Sequence, residues 1–253
     1  SQEKFGFLPV SIRNSLPEVL QNTLYVFALQ EGQLELLVRK LLWDPLKALG
    51  HQLNRLNLWI KLFAGLSLLA IIAIAALDGS DIARTYWSMP VSMAMALVSL
   101  AAFSQKHSPY QVWHSVTLSS VLAAIAVWLM APHTEVDVLL FLSGILPSWL
   151  LGAVSMRRLL RNDDFAASPF IFRAFAETHP GWSLMLFLSF LGLVGFPITP
   201  AFLGEDLLLS HASSQHPWFA LPITISFVIN GIAAARMFLR LCMGRPLQLQ
   251  SHR

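Results

Sequence analysis

Long apolar runs follow one another along most of this chain, and they limit its fold more than any other feature of the sequence. A helix of about 20 apolar residues crosses the hydrocarbon core of a bilayer, and six runs reach that length: residues 58–77, 86–104, 112–131, 136–156, 181–211 and 218–241. Charged residues make up 12% of the chain, compared with about 25% in an ordinary soluble domain. The sequence therefore predicts an all-α, polytopic membrane bundle of six spans over residues 58–245, followed by a tail at 246–253.

The basic residues test this layout, because a wrong number of spans would scatter them over both sides of the membrane. With six spans, the N-terminus, the links 105–111 and 157–180 and the C-terminus all lie on one side. Of the 17 lysines and arginines, all except Arg84 fall on that side. The positive-inside rule makes the basic side cytoplasmic. We therefore expect a multi-pass protein of a cell's inner membrane with both chain ends in the cytoplasm.

The region before the spans, residues 1–57, is predicted to be amphipathic. Two helices, at about residues 30–43 and 45–56, have leucines at helical spacing with lysines and arginines beside them. Asp44 and Pro45 are typical of an N-cap and a first helical position. These helices are too charged to span a bilayer, so we expect them to lie on a membrane face or to bind a partner such as a soluble cytoplasmic subunit. Residues 1–15 lack the apolar core of a secretory signal.

The fifth run, residues 181–211, is too long for one straight crossing. As a single helix it would measure about 46 Å, whereas the bilayer core is about 30 Å thick. Gly195, Pro197 and Pro200 interrupt it, and proline both removes a backbone donor and clashes with the preceding turn. The pattern predicts two half-helices, 181–195 and 200–211, with Thr199 as the cap of the second and Pro200 at its first position.

Two adjacent acids, Glu205 and Asp206, follow this break among apolar residues. An ionisable residue inside a span is costly, so a functional site is the default hypothesis, and broken helices often place ion sites. Both acids are candidate proton-relay residues. Their side chains point about 100° apart, so at most one faces a given partner, and we favour Glu205. The alternative is that the span ends near Thr199 and Glu205 opens an outer loop, although the leucines at 207–209 speak against it.

Residues 192–210 (GLVGFPITPAFLGEDLLLS) resemble a broken helix of the antiporter-like subunits of respiratory complex I. They are most like the M-type subunit and its relatives in Mrp antiporters, membrane hydrogenases and inorganic-carbon accumulation complexes. In that family a Gly-x-Pro break precedes Phe-x-Gly-Glu, whose glutamate relays protons, and Phe202, Gly204 and Glu205 occupy those places here. Residues 240–244 (RLCMG) resemble the Arg-x-x-x-Gly that ends the family's next helix. The resemblance covers residues 86–245 and is specific over 181–245.

A full family member has two inverted halves, and this chain resembles the second half only. The lysines and the first-half glutamate of the family's relay have no counterpart, and Ser143-Gly144 stands where the family has His-Gly. The resemblance implies a small subunit of a proton-translocating complex, respiratory or for inorganic-carbon uptake, that packs with a larger antiporter-like subunit. The alternatives are a non-conducting scaffold or assembly subunit of such a complex and a stand-alone small transporter.

Three further side chains are candidate charge partners of the acids. Arg236 and Arg240 near the end of the sixth run either reach the membrane interface or pair with a buried acid. His114 in the third run either lies at the interface or joins a proton relay.

Cys242 is the only cysteine, and the three histidines at 133, 211 and 216 make a weak zinc site. We therefore expect no metal, cofactor, nucleic acid or catalysis by this chain alone.

Overall fold

Helices are the only regular elements in the described part of the chain. The computed structural model describes residues 40, 44–55, 65–66, 68–70, 72–74, 81–106, 108–131, 133–161, 172–215 and 217–244. The helices are α1 (Asp44–Arg55), α2 (Asp81–Ser104), α3 (Pro109–Met130), α4 (Glu135–Leu160), α5 (Phe175–Thr178), α6 (Pro180–Leu193), α7 (Pro200–Gln215) and α8 (Pro217–Cys242). The predicted all-α class is thus confirmed for these residues.

Four of these helices are long and apolar enough to cross a membrane: Thr85–Ser104 within α2, and the whole of α3, α4 and α8. They coincide with the second, third, fourth and sixth apolar runs of the sequence. The fifth run contains two helices, of which α6 is apolar but only 14 residues long. The four long helices are compatible with an integral membrane protein, whereas the count of six spans stays a prediction.

Several predicted segments lie outside the described residues. They are most of the helix at 30–43, most of the first span at 58–77 and the tail at 246–253. Within the first span the described pieces, residues 65–66, 68–70 and 72–74, are helical.

The chain divides into two compact units, Ser1–Ala48 and Leu49–Arg253. The first unit contributes the start of α1 to the described residues. In the second, the end of α1 is held against the end of α2, since Asn54 Nδ2 donates to the Ala101 carbonyl at 2.9 Å and to Ser104 Oγ at 2.9 Å. The end of α1 therefore packs on the end of α2, and the binding of a partner by residues 1–57 stays a prediction.

The long helices form one bundle, in which α2 packs against both α3 and α8, and α4 packs on α3. Its outward faces are apolar. Val136 is 76% exposed and Leu139 65% exposed on α4, and Val228 is 58% exposed on α8. Large apolar patches on an outer surface mark contact with a membrane or with another protein. These faces are therefore suited to lipid or to neighbouring apolar helices.

Candidate functional site between α6 and α7

The helices α6 and α7 lie one after the other along α4 and hardly touch each other. Their contacts move steadily from one end of α4 to the other: Trp182 with Arg158, Gly192 with Ser148, Ala201 with Gly144, Gly204 with Phe141, and His211 with Asp137. Both helices therefore run antiparallel to α4, end to end. The 26 residues of α4 extend over about 39 Å, so one long helix supports both short ones.

Small residues bring α7 close to α4. A β-carbon built on Gly204 would lie 2.6 Å from Cβ of Phe141, and one built on Gly144 would lie 2.7 Å from Cβ of Ala201. Both distances are shorter than real carbon contacts, so neither position has room for a side chain. Close backbone approach through glycine is a common way of packing helices inside membranes.

A left-handed glycine ends α6. Gly195 has φ +64°, and the Phe196 amide donates to the Leu191 carbonyl at 2.9 Å while the Val194 amide donates to the Phe190 carbonyl at 3.0 Å. A bond that reaches back five residues past a left-handed glycine is the mark of a Schellman cap. Glycine adopts this conformation without the steric cost of a β-carbon, so the sequence stops the helix at this residue.

A tight turn then leads into α7. The Thr199 amide and hydroxyl both donate to the Phe196 carbonyl at 2.8 Å, and the Phe202 amide donates to the Thr199 carbonyl at 3.1 Å. Thr199 precedes the helix and Pro200 begins it, as the sequence predicts, but the Thr199 hydroxyl closes the turn instead of capping α7. Pro197 lies exposed in this turn. Several backbone groups between α6 and α7 are thus hydrogen-bonded within the chain.

Glu205 lies half-buried on α7 and faces the end of α6. It lines a cavity of about 10 Å³ together with residues of α3, α4, α6 and α8 and the start of the turn: Ser120, Phe141, Leu193, Val194, Phe227, Asn230 and Gly231. A cavity of about 10–15 Å³ is the smallest that holds one water molecule. Among the described residues that line it, Glu205 is the one ionisable group.

The carboxylate of Glu205 also rests against the break itself. A β-carbon built on Gly195 would overlap Oε2 of Glu205. The carboxylate therefore fills the space that any other residue at position 195 would need. The residue that ends α6 is thus also the residue that makes room for the acid.

Asp206 points away from this cavity. The buried residues of α7 form one stripe: Ala201, Gly204, Leu208 and Ala212. Glu205 borders the stripe, whereas Asp206 is exposed, because neighbouring side chains on a helix point about 100° apart. The relay role assigned to the two acids stays a prediction, and the geometry gives them different surroundings.

Asn230 on α8 is the second polar group in the cavity wall, and it is 4% exposed. Its Nδ2 donates to Ser119 Oγ at 3.0 Å, and Ser119 Oγ donates in turn to the Met95 carbonyl at 3.2 Å. Three helices, α2, α3 and α8, are joined by this chain of hydrogen bonds. Residues 119 and 120 and Asn230 were missed by the sequence analysis, although Asn230 is the one asparagine within the sixth apolar run, which is a usable signal.

Arg236 binds the end of α2. Its Nη2 donates to the carbonyl oxygens of Phe103 and, at 3.2 Å, Gln105, and its guanidinium carbon lies 5.0 Å from the centre of the Phe103 ring. A cation is favourable at a helix C-terminus, where the carbonyl dipoles point outward. Arg236 is also about 9 Å along α8 from Asn230, and it is not among the described residues that line the cavity of Glu205.

The other two candidate charge partners also lie elsewhere. His114 is exposed, and its Nδ1 accepts a hydrogen bond from Trp149 Nε1 at 2.8 Å on the outside of α4. The carbonyl of Arg240 accepts from the Arg173 amide at 3.0 Å, next to α5. Neither residue is among the described residues that line the cavity of Glu205.

A contact between a histidine and a carboxylate links α4 and α7 at the far end of the bundle. His211 Nε2 lies 2.8 Å from Asp137 Oδ2, with the two side chains 36% and 25% exposed. His211, one of the three histidines of the weak zinc site, therefore has a carboxylate partner. Among the described residues no group of three or more histidine, cysteine, aspartate or glutamate side chains is placed to hold a metal ion.

No model of a known protein family matches the chain, and no curated protein matches it.

Proposed function

We propose that the chain is a small integral membrane subunit of a proton-translocating complex. In this proposal α6 and α7 form a single interrupted crossing, and Glu205 is the carboxylate that takes up and releases a proton beside the interruption. A larger antiporter-like subunit packs against the apolar outer faces and supplies the rest of the proton path. A complex of respiration or of inorganic-carbon uptake fits the family that the sequence resembles.

The observation that carries the proposal is the position of Glu205. Its carboxylate lies against the left-handed glycine of the break and faces a small cavity with one amide. Ionisable groups within membrane spans mark proton or ion pathways in general, and the ends of broken helices are common ion sites. The end-to-end arrangement of α6 and α7 along α4 supports a single crossing, because a re-entrant hairpin would pack its two arms side by side.

The orientation in the membrane is supported by charge. Basic residues gather at one end of the bundle, where α2 and α8 end, α4 ends and α6 begins: Lys106, Arg157, Arg158, Arg161, Arg236 and Arg240. The opposite end, where His211 contacts Asp137, has few basic residues. By the positive-inside rule the basic end faces the cytoplasm. A soluble cytoplasmic subunit bound by residues 1–57 would lie on this side.

Cysteine labelling separates a membrane-embedded α7 from an outer loop. Leu203 is 58% exposed and Ser214 is exposed, so in water both positions would react with a maleimide. If α7 lies in the membrane, Leu203→Cys should resist a membrane-impermeant maleimide in intact vesicles, while Ser214→Cys near the helix end should react. Each variant is made with Cys242→Ser so that the native thiol does not contribute. Equal labelling at both positions would mean that α7 is an outer loop.

Replacing Glu205 by glutamine tests the proton role. The complex that co-purifies with the tagged chain is reconstituted in vesicles, and proton uptake is followed with a pH-sensitive dye. We expect Glu205→Gln to lower the uptake rate about 100-fold, the usual cost of removing a group that gives and takes a proton. Asp206→Asn, which removes the adjacent exposed carboxylate, is the matched control and should keep most of the activity.

Two other outcomes would reject a proton role for Glu205. Unchanged uptake in Glu205→Gln would leave the residue without a part in translocation. Loss of the complex on size-exclusion chromatography would show that the residue is needed for assembly. Either result would favour the second candidate, a scaffold subunit that does not conduct. One observation favours that candidate already, since Glu205 is the one ionisable side chain among the described residues that line the cavity.

A further inference from the structure

The side-chain oxygen of Asn230 accepts no hydrogen bond from any described residue. Its side chain is 4% exposed, and Oδ1 is buried without a donor among the described residues. A buried acceptor that makes no hydrogen bond is expensive, because it has lost its contact with water. Native proteins rarely leave such a group unsatisfied, so a donor is expected close to Asn230.

The neighbouring serine fixes which end of the amide lacks a partner. Ser119 Oγ gives its one proton to the Met95 carbonyl, at 3.2 Å. It can then only accept from Asn230, and the amide nitrogen at 3.0 Å is the atom that donates. Oδ1 is the remaining polar atom of Asn230, and Asn230 is part of the cavity wall. The Ser119 hydroxyl therefore turns the acceptor end of the amide away from itself.

The other polar neighbour in the wall cannot supply the missing donor. Ser120 Oγ donates its proton to the Val116 carbonyl at 3.1 Å. The rest of the described wall is apolar, apart from Glu205 and the backbone of the break. Within the described wall of the cavity, the donor to Asn230 Oδ1 is therefore a protonated Glu205 or a water molecule, and the cavity of about 10 Å³ is close to the smallest that holds one water.

We propose that Glu205 and Asn230 together bind one water molecule, and that Asn230 is the positioning residue for the protonated form of the acid. This inference rests on the proposed function and identifies the proton as the ion that Glu205 binds. Protonation adds one H⁺ to the Glu205 carboxylate. The new O–H donates to the oxygen of the water, and one O–H of the water donates to Asn230 Oδ1. Release returns the same proton, so no other bond is made or broken.

The same wall is poorly suited to a metal cation. A calcium ion takes six to eight oxygen ligands, and a magnesium ion takes six, several of which are waters. Here the side chains offer the oxygens of Glu205, Asn230 and Ser120, while Phe141, Leu193 and Phe227 present carbon. A cavity with three polar side chains and room for about one water therefore suits a proton better than either of these cations.

Infrared difference spectroscopy tests the inference on the purified full chain in lipid nanodiscs. Spectra at acidic and alkaline pH give the C=O band of protonated Glu205, identified by its loss in Glu205→Gln. Asn230→Leu keeps the number of side-chain heavy atoms but removes the acceptor, so it should move this band to higher wavenumber. A water O–H band that shifts in H₂¹⁸O should be present in the wild type and absent in Asn230→Leu. Asp206→Asn is the control and should leave both bands in place.

Ser119→Ala provides a second variant in case Asn230→Leu does not fold. It removes the hydroxyl that orients the amide, and it should move the Glu205 band in the same direction by a smaller amount. Bands unchanged in the folded variants would overturn the inference, and so would a Glu205 band that responds to sodium at constant pH. These spectra are recorded on the purified chain without the complex. They therefore test the water site separately from proton translocation. Normal proton uptake in Glu205→Gln together with a shifted band in Asn230→Leu would reject the translocation role and keep the water site.

Discussion

Replacing Gly204 by leucine is expected to separate α7 from α4 and to destabilise the protein by about 3 kcal/mol, the upper part of the usual range for overpacking. A β-carbon at this position would lie 2.6 Å from Cβ of Phe141 and would overlap the Cα of the same residue. A flexible side chain can turn away from such an intrusion, but the backbone of α4 cannot. The melting temperature should fall by about 6–12 °C.

The control for this prediction is Gly181→Leu in α6. A β-carbon built on Gly181 meets nothing within 4 Å, so its replacement should leave the melting temperature close to that of the wild type. Both variants exchange a helical glycine for leucine, and they differ in the space around it. A Gly204→Leu protein as stable as the control would show that α7 does not rest on α4 at this residue.

Replacing Gly195 by alanine is expected to disturb the fold and the site together. The left-handed conformation of Gly195, with φ +64°, costs other residues about 1–2 kcal/mol. The new methyl group would also take the space that Oε2 of Glu205 occupies, so the carboxylate must move. A displacement of about 1 Å can lower a rate about 100-fold, and we expect a loss of this size in the proton uptake of the reconstituted complex.

Gly181→Ala is the matched control, because Gly181 is a helical glycine outside the described wall of the cavity. A β-carbon there meets nothing within 4 Å, and its φ is not in the left-handed region. Stability and proton uptake should change little. If Gly195→Ala behaves like this control, then the carboxylate does not depend on the glycine, and the interruption is not what positions Glu205.

Helix positions were predictable because their signals are local. Asp44 and Pro45 indicate the start of α1, which begins at Asp44. Four of the apolar runs correspond to α2, α3, α4 and α8. A proline or a cap acts on residues one to four positions away, so one stretch of sequence contains both the cause and the effect. The end of α6 next to Gly195 and the start of α7 at Pro200 were predictable for the same reason.

The partners of the charged residues were not predictable in this way. The sequence suggested that Arg236 reaches the interface or pairs with a buried acid, and it carried no sign of the carbonyl oxygens of Phe103 and Gln105 that Arg236 binds. Carbonyl groups at a helix end carry no sequence signal, because every residue has one. Likewise His211 and Asp137 are 74 positions apart, and spacing along the chain says nothing about such a pair.

By itself the sequence determined that the described chain is helical and apolar, where most helices begin and end, and that an acid follows an interruption in the fifth apolar run. These properties follow from hydropathy, proline and glycine, which act over a few residues. The tertiary structure alone decided that Glu205 meets Gly195 and that Asn230 faces the same cavity. Those contacts join α3, α6, α7 and α8, and they exist only because close packing on α4 fixes the depth and rotation of each helix.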